Sequence, residues 1–217
     1  MKKIAALAGV GAIAAASVAS ADFTGVSVVE LNLVDGFTTY QVYANFDNPT
    51  DSVLAVSATA QALSFNADSM LYQDTSLPGT GLHDTPAISA IAGPADSWVT
   101  VGGDFANGMT DTSFSPGFLG GGAGDLISGS SFTQESNGGY FDENPGTAEN
   151  GGSVIIAQFT LANDTTTATY SGGVDWQSAG AGFTSTAFDA VLVLIPAPGA
   201  FALLGLAGLA TARRRRG

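Results

Sequence analysis

The sequence predicts an all-β protein. One antiparallel β-sandwich or jelly-roll domain occupies residues 22–195, with long Gly/Asp-rich loops. It is flanked by an N-terminal signal peptide over residues 1–21 and by a short apolar C-terminal helix within residues 196–217. Three observations lead there. Apolar and polar residues alternate with a period of two through several short segments. No stretch of the body keeps a 3.6-residue apolar stripe over three turns. Gly, at 29 residues, joins Asn, Asp and Pro in punctuating the chain at the intervals that turns require.

Taken in order, residues 26–34 form the first strand candidate. In the next, Tyr40, Val42, Ala44 and Phe46 share one face. Asp47-Asn48-Pro49-Thr50-Asp51 is a run of turn formers, and a strand pattern resumes over residues 52–57, so residues 38–58 are expected to form a β-hairpin. Further candidates are residues 62–65, 97–101, 153–161, 167–170 and 187–195. Residues 154–159 are the strongest, being β-branched and bounded by Gly152 and Asn163-Asp164. Residues 102–152 carry little strand pattern and are expected to be long loops, including the Gly-rich run 120–124 and the acidic stretch 134–150. A length of 217 residues with no internal repeat fits one domain.

Charge is segregated. The six cations are Lys2, Lys3, Arg213, Arg214, Arg215 and Arg216, and residues 4–212 hold all 19 acidic residues with no Lys or Arg. The body therefore makes no Lys or Arg salt bridge. Its carboxylates must face water, accept backbone N–H groups or bind external cations. Nucleic acid is excluded as a partner of the body, because phosphate contacts need Lys or Arg. The absence of cysteine excludes disulfides, thiolate metal sites and a cysteine nucleophile.

The two ends have the chemistry of export signals. Lys2 and Lys3 precede an apolar, Ala-rich run over residues 4–18, and Ala19-Ser20-Ala21 places small residues at −3 and −1 for cleavage before Asp22. The implied partners are the Sec export machinery and signal peptidase. At the other end, Pro196-Ala197-Pro198-Gly199 precedes an apolar run over residues 200–212 and then Arg213 to Arg216. As a helix that run spans only ~20 Å, short of a hydrocarbon core of ~30 Å. The Arg cluster is expected on the cytoplasmic side.

On these residues the tail resembles a PEP-CTERM sorting signal, which is also called the ice-binding protein C-terminal domain. That signal combines a Pro-Glu-Pro-type motif, a brief Gly/Ala/Leu-rich helix and a terminal Arg cluster. The resemblance implies recognition and cleavage by an exosortase-like membrane peptidase. Pro196 and Pro198 match the two prolines, Ala197 stands where the family has Glu, and the tail's apolar run and Arg cluster also match. The phrase running from Val42 to Val56 is similar to stretches of uncharacterised PEP-CTERM proteins of planctomycete-like bacteria.

Candidate chemistry in the body centres on calcium, which takes six to eight oxygen ligands. One loop offers Asp47, Asn48 and Asp51, and a second offers Glu135, Asn137, Asp142, Glu143 and Asn144. The bland alternative is turn-forming residues and a solvated acidic loop. Trp98 and Trp176, with Tyr72 and Tyr140, are either core aromatics or a sugar-stacking platform. The lone His83 beside Asp84 reads as a solvated loop histidine rather than a general base. Carboxylates such as Glu30, Asp142 and Glu143 are the raw material of a glycosidase pair, but nothing marks one pair among so many acids. The Gly run at 120–124 lacks the Lys-Ser/Thr of a phosphate loop.

The expectation is an exported, non-enzymatic protein of the cell surface or extracellular matrix, transiently anchored by its C-terminal helix, with a structural or adhesive role. The alternatives are a calcium-assisted carbohydrate-binding module that contacts extracellular polysaccharide and, more distantly, a secreted glycoside hydrolase.

Overall fold

A computed structural model describes residues 22–73, 94–102, 112–115, 118, 129–136, 138–142, 152–178 and 182–194. The expected signal peptide, the sorting tail from Pro196 to Arg216, the His83-Asp84 pair and the 120–124 glycine run lie outside these residues, as do Asn137, Glu143 and Asn144.

Among the described residues there are eleven strands: β1 (Phe23–Leu31), β2 (Phe37–Phe46), β3 (Ser52–Ser57), β4 (Leu63–Ala67), β5 (Trp98–Val99), β6 (Thr112–Phe114), β7 (Ser131–Gln134), β8 (Gly139–Asp142), β9 (Ser153–Ala162), β10 (Thr167–Gln177) and β11 (Phe183–Leu194). They form two antiparallel sheets. One has the order β1-β2-β9-β5, and the other runs β6-β8-β3-β10-β4-β7, with β11 on the remaining edge of β10. This is the all-β sandwich that the alternating pattern predicts.

The register of the larger sheet explains its apparent crowding. Ser52 to Ser57 pair with the C-terminal half of β10, and Ser64 to Ala67 pair with its N-terminal half, so β3 and β4 are one interrupted strand. β7 and β8 are interrupted in the same way, pairing with β4 and β3 in turn. The two breaks lie side by side, where the Ala58 N–H donates to the Gly138 carbonyl at 3.0 Å. Close approach there demands glycine. A Cβ on Gly139 would run into the Val56 carbonyl oxygen and lie 2.8 Å from Ser57 Cα.

The core lies between the sheets. In β2, Val42, Ala44 and Phe46 point inward as the period of two requires. The Phe159 ring of β9 meets Phe65 of β4 at 4.6 Å and Tyr170 of β10 at 4.9 Å. Phe46 reaches across to Trp176 at 5.7 Å. Deep in this layer, the Tyr140 hydroxyl donates to the Ile156 carbonyl at 2.7 Å and lies 2.7 Å from the Tyr170 hydroxyl. A carbonyl cannot donate, so Tyr140's single proton is committed to it and Tyr170 must be the donor to Tyr140. Burial raises both phenol pKa values well above the ordinary range.

Strand β9 is buried on both faces. Residues 94–100 cover its outer side: the Gln158 side-chain amide donates to the carbonyls of Pro94 and Asp96 at 3.0 and 2.7 Å, and the Thr160 N–H donates to Ser97 Oγ at 3.0 Å. This is why its sequence reads as a nearly continuous apolar run.

Two expectations need correction. Residues 38–58 are not a hairpin, because β2 pairs with β1 and β9 in one sheet while β3 pairs with β10 and β8 in the other. The 47–51 turn carries the chain between layers. The 102–152 stretch is not loop throughout, since it supplies β6, β7 and β8. These strands are only three or four residues long, too few for alternation to register.

Candidate functional site

The ends of β1, β2, β3, β9 and β10 converge at one pole of the sandwich, and the acidic turn sits there. Asp22 and Asp47 clasp each other. The Asp22 N–H donates to Asp47 Oδ1 at 2.9 Å, and the Asp47 N–H donates to the Asp22 carbonyl at 3.3 Å. Asn48 shapes the turn with its own side chain, accepting from the Thr50 N–H at 3.1 Å and the Thr50 hydroxyl at 2.9 Å. The Asp51 N–H closes it on the Asn48 carbonyl at 3.1 Å.

Asp51 differs from the other acids of the turn. It stands two residues before Val53, so the strand period turns its side chain inward with that core valine. It is 0% exposed, and neither carboxylate oxygen has a hydrogen-bond donor. Its pKa is raised, first by burial; the Ser178 hydroxyl, near enough to pull it down but outside hydrogen-bond geometry, opposes this, and the negative charges of Asp47 and Asp22 add to the rise. The carboxylate is sealed from water, and the two neighbouring acids bear on it.

Other carboxylates follow the expectation that backbone and hydroxyl donors stand in for missing cations. Asp68 accepts from the Thr166 hydroxyl and N–H, which lowers its pKa. The buried Asp96 accepts from the Ser97 N–H at 3.1 Å. The buried Asp175 accepts from the Ser57 hydroxyl at 2.6 Å on one oxygen.

No protein-family model, curated protein or solved structure matches this chain. Its site must be read from its own residues.

The structure keeps Asp47, Asn48 and Asp51 on one turn and adds Asp22 and Ser178 to them. It separates the second proposed calcium group: Glu135 lies in the break between β7 and β8, while Asp142 is the last residue of β8 and buried. At ~3.3 Å per residue, the length of β8 alone sets these two about 10 Å or more apart. Among the described residues, no three His, Asp or Glu side chains are gathered to hold a metal ion. Glu30 and Asp142 belong to different sheets, on β1 and β8.

Three of the four sugar-stacking candidates are buried, and Tyr72 is half-buried. Trp98 and Tyr140 are wholly buried, Trp176 is 6% exposed, and Tyr72 packs its ring on Phe37 at 4.9 Å. Neither indole offers a free face: Trp98 is enclosed opposite Gln158 on the covered outer side of β9, and Trp176 packs inward against Phe46.

Sequence reasoning assigned Asp22 only to a cleavage site. Its partner Asp47 is 25 residues away, and no local signal joins them. Ser178 follows β10 from the far end of the chain and was equally illegible. At the opposite pole a shallow open groove runs along Asn32, Leu33, Asp35, Gly36 and Asn163. Its polar atoms are largely spent on the loop itself, as in the Asn163 N–H to Gly36 carbonyl bond at 3.1 Å.

Proposed function

We propose that this protein is exported through the Sec machinery, trimmed by signal peptidase, and sorted by its tail to the outer surface or extracellular matrix. There the sandwich serves as a structural or adhesive module without catalysis. One observation carries the reading: every cation of the chain lies in residues 2–3 or 213–216, next to an apolar run, while 19 carboxylates occupy the stretch between. Both ends are thus built as translocation and sorting signals of the PEP-CTERM type, the second addressed to an exosortase-like peptidase. The body that remains is hydrated, strongly acidic and repelled by anionic bilayers. Its strength comes from sheet hydrogen bonding and aromatic packing rather than ion pairs, which suits a module exposed to changing salt.

Intact-mass spectrometry of the protein from its native cells tests this. The expected species begins at Asp22 and ends near Pro196. Retention of Lys2 and Lys3 overturns export, and a cleaved front with Arg213 to Arg216 retained replaces sorting by a plain tail anchor.

A second reading, calcium-assisted carbohydrate binding, is favoured by the unpaired Asp51 carboxylate beside Asp47. It predicts a rise in melting temperature with calcium that EDTA reverses, and binding to a polysaccharide that depends on calcium. An unchanged melt removes its metal component.

A further inference from the structure

Among the described residues, no cation stands against the charge of the acidic pole. Asp51 is fully buried with both oxygens unpartnered. Two further carboxylates act on it, and no Lys or Arg exists between residues 4 and 212 to neutralise them. A buried carboxylate in that position is costly unless a cation or donor reaches it.

The same pole holds a nitrogen whose charge changes with processing. Asp22 N lies 2.9 Å from Asp47 Oδ1. Asp22 is also the residue that follows the Ala19-Ser20-Ala21 cleavage motif. In the uncleaved chain this nitrogen is a neutral amide with one proton. Hydrolysis adds one water across the Ala21–Asp22 bond. The C–N bond breaks, Ala21 keeps the new carboxylate, and the Asp22 nitrogen becomes a primary amine that is protonated at neutral pH.

We propose that the α-ammonium group released at Asp22 is the counter-ion of the Asp47 and Asp51 carboxylates, so that removal of the leader completes the fold at this pole. The inference rests on the export reading. One N–H keeps the bond to Asp47 already present, and the positive charge offsets the Asp47 and Asp22 carboxylates that act on Asp51. Hydrogen bonds between charged partners are about twice as strong as neutral ones. An ammonium group needs only two or three acceptors, which the turn supplies. A divalent cation needs a larger oxygen cage, and among the described residues no such convergence exists.

The sequence makes the test unusually clean. Cleavage before Asp22 removes Lys2 and Lys3, and no lysine follows, so the α-amino group is the sole primary amine of the processed chain. An amine-selective acetylating reagent therefore neutralises that nitrogen alone, and the pH dependence of its rate reads the amine's pKa. The expected pKa is about one unit above the ordinary 7.7–8.0, which slows acetylation at pH 8 roughly fivefold. Because this pKa is raised on folding, the stabilisation is full below pH ~8 and is lost as pH rises through the raised value. Acetylated protein should melt roughly 3 °C or more below the unmodified protein at pH 7 and lack that alkaline dependence.

Asp51→Asn should bring the amine back toward its ordinary pKa. If that variant does not fold, the comparison on the wild-type chain still decides. An ordinary amine pKa, or equal melting of acetylated and unmodified protein, overturns the proposal. So does calcium stabilising both forms equally, which would make a metal ion the occupant. Terminal sequencing separates the failures: a chain that retains Lys2 and Lys3 overturns the export reading with this one, while a trimmed chain that begins elsewhere, or at Asp22 with an ordinary amine, overturns this one alone.

Discussion

Replacing Tyr140 by Phe removes one oxygen from the middle of the sandwich, and the proton count across three oxygens predicts the consequence. Tyr140 donates to the Ile156 carbonyl and Tyr170 donates to Tyr140. The Ile156 carbonyl keeps a second donor, the Thr100 N–H at 3.1 Å, so it survives the change satisfied. Tyr170 does not. Its O–H is left buried without its acceptor, at a cost of about 1–3 kcal/mol. The reverse substitution, Tyr170→Phe, leaves Tyr140 donating to Ile156 as before and forfeits only an accepted bond, about 1 kcal/mol. Replacing both leaves no orphan, so the double variant should be no less stable than Tyr140→Phe alone, a coupling of about 1–2 kcal/mol in its favour. Urea unfolding followed by the fluorescence of the buried Trp98 and Trp176 measures all three. Melting temperatures should fall roughly 4–8 °C for Tyr140→Phe and 2–4 °C for Tyr170→Phe, at 2–4 °C per kcal/mol for a domain of this size. Equal costs for the two single changes, or strict additivity in the double, would refute the assignment of donor and acceptor.

Three further outcomes are expected. On alkaline titration, the raised pKa values of Tyr140 and Tyr170 mean that stability is intact below pH ~10 and is lost as pH rises above it; absorbance at 295 nm should show at least these two of the five tyrosines still neutral near pH ~11 until the protein unfolds, with Tyr40 also titrating late. Phe159→Ala, which removes the ring between Phe65 and Tyr170, should cost about 3–5 kcal/mol in chemical denaturation. Gly139→Ala should destabilise by roughly 2 kcal/mol or more because the new methyl meets rigid backbone of β3, whereas Gly152→Ala, whose methyl would lie 3.6 Å from the Phe46 carbonyl oxygen, should melt nearly as wild type.

The sequence states which face a residue occupies far better than it states which strand lies beside it. Val42, Ala44 and Phe46 are inward as their spacing says, and the long apolar run of β9 is buried as its composition says. Yet the Asp47–Asp51 turn looked like a hairpin turn, because a turn between sheets and a turn within one use the same residue types. Its partner choice is decided by β9 and β10, more than 100 residues later, and alternation carries no information about them. At the candidate site, Asp47, Asn48 and Asp51 were legible as oxygen donors. The burial of Asp51 was not, since it depends on the layer that closes over the turn. Trp98 and Trp176 are legible as aromatics on strands, and only the tertiary fold, on the outer side of β9 for one and between the sheets for the other, buries them.

The placement of β9, β10 and β11 also sets the order in which the molecule can be made. β2 finds its inner neighbour across about 120 residues, as the Thr39–Thr160 hydroxyl pair spans 121 positions, and the interrupted β3–β4 strand has no central partner until β10 exists. Synthesis proceeds from the other end, so the first two thirds of the chain holds edges without a middle. Such a chain closes late and slowly, because long loops must be closed before the pairs they bring together form. A polypeptide that stays open until its last strands emerge is one that a narrow translocation channel can thread. Closure then falls due just as the residues preceding the tail arrive, so the timing of folding is written into the strand order itself.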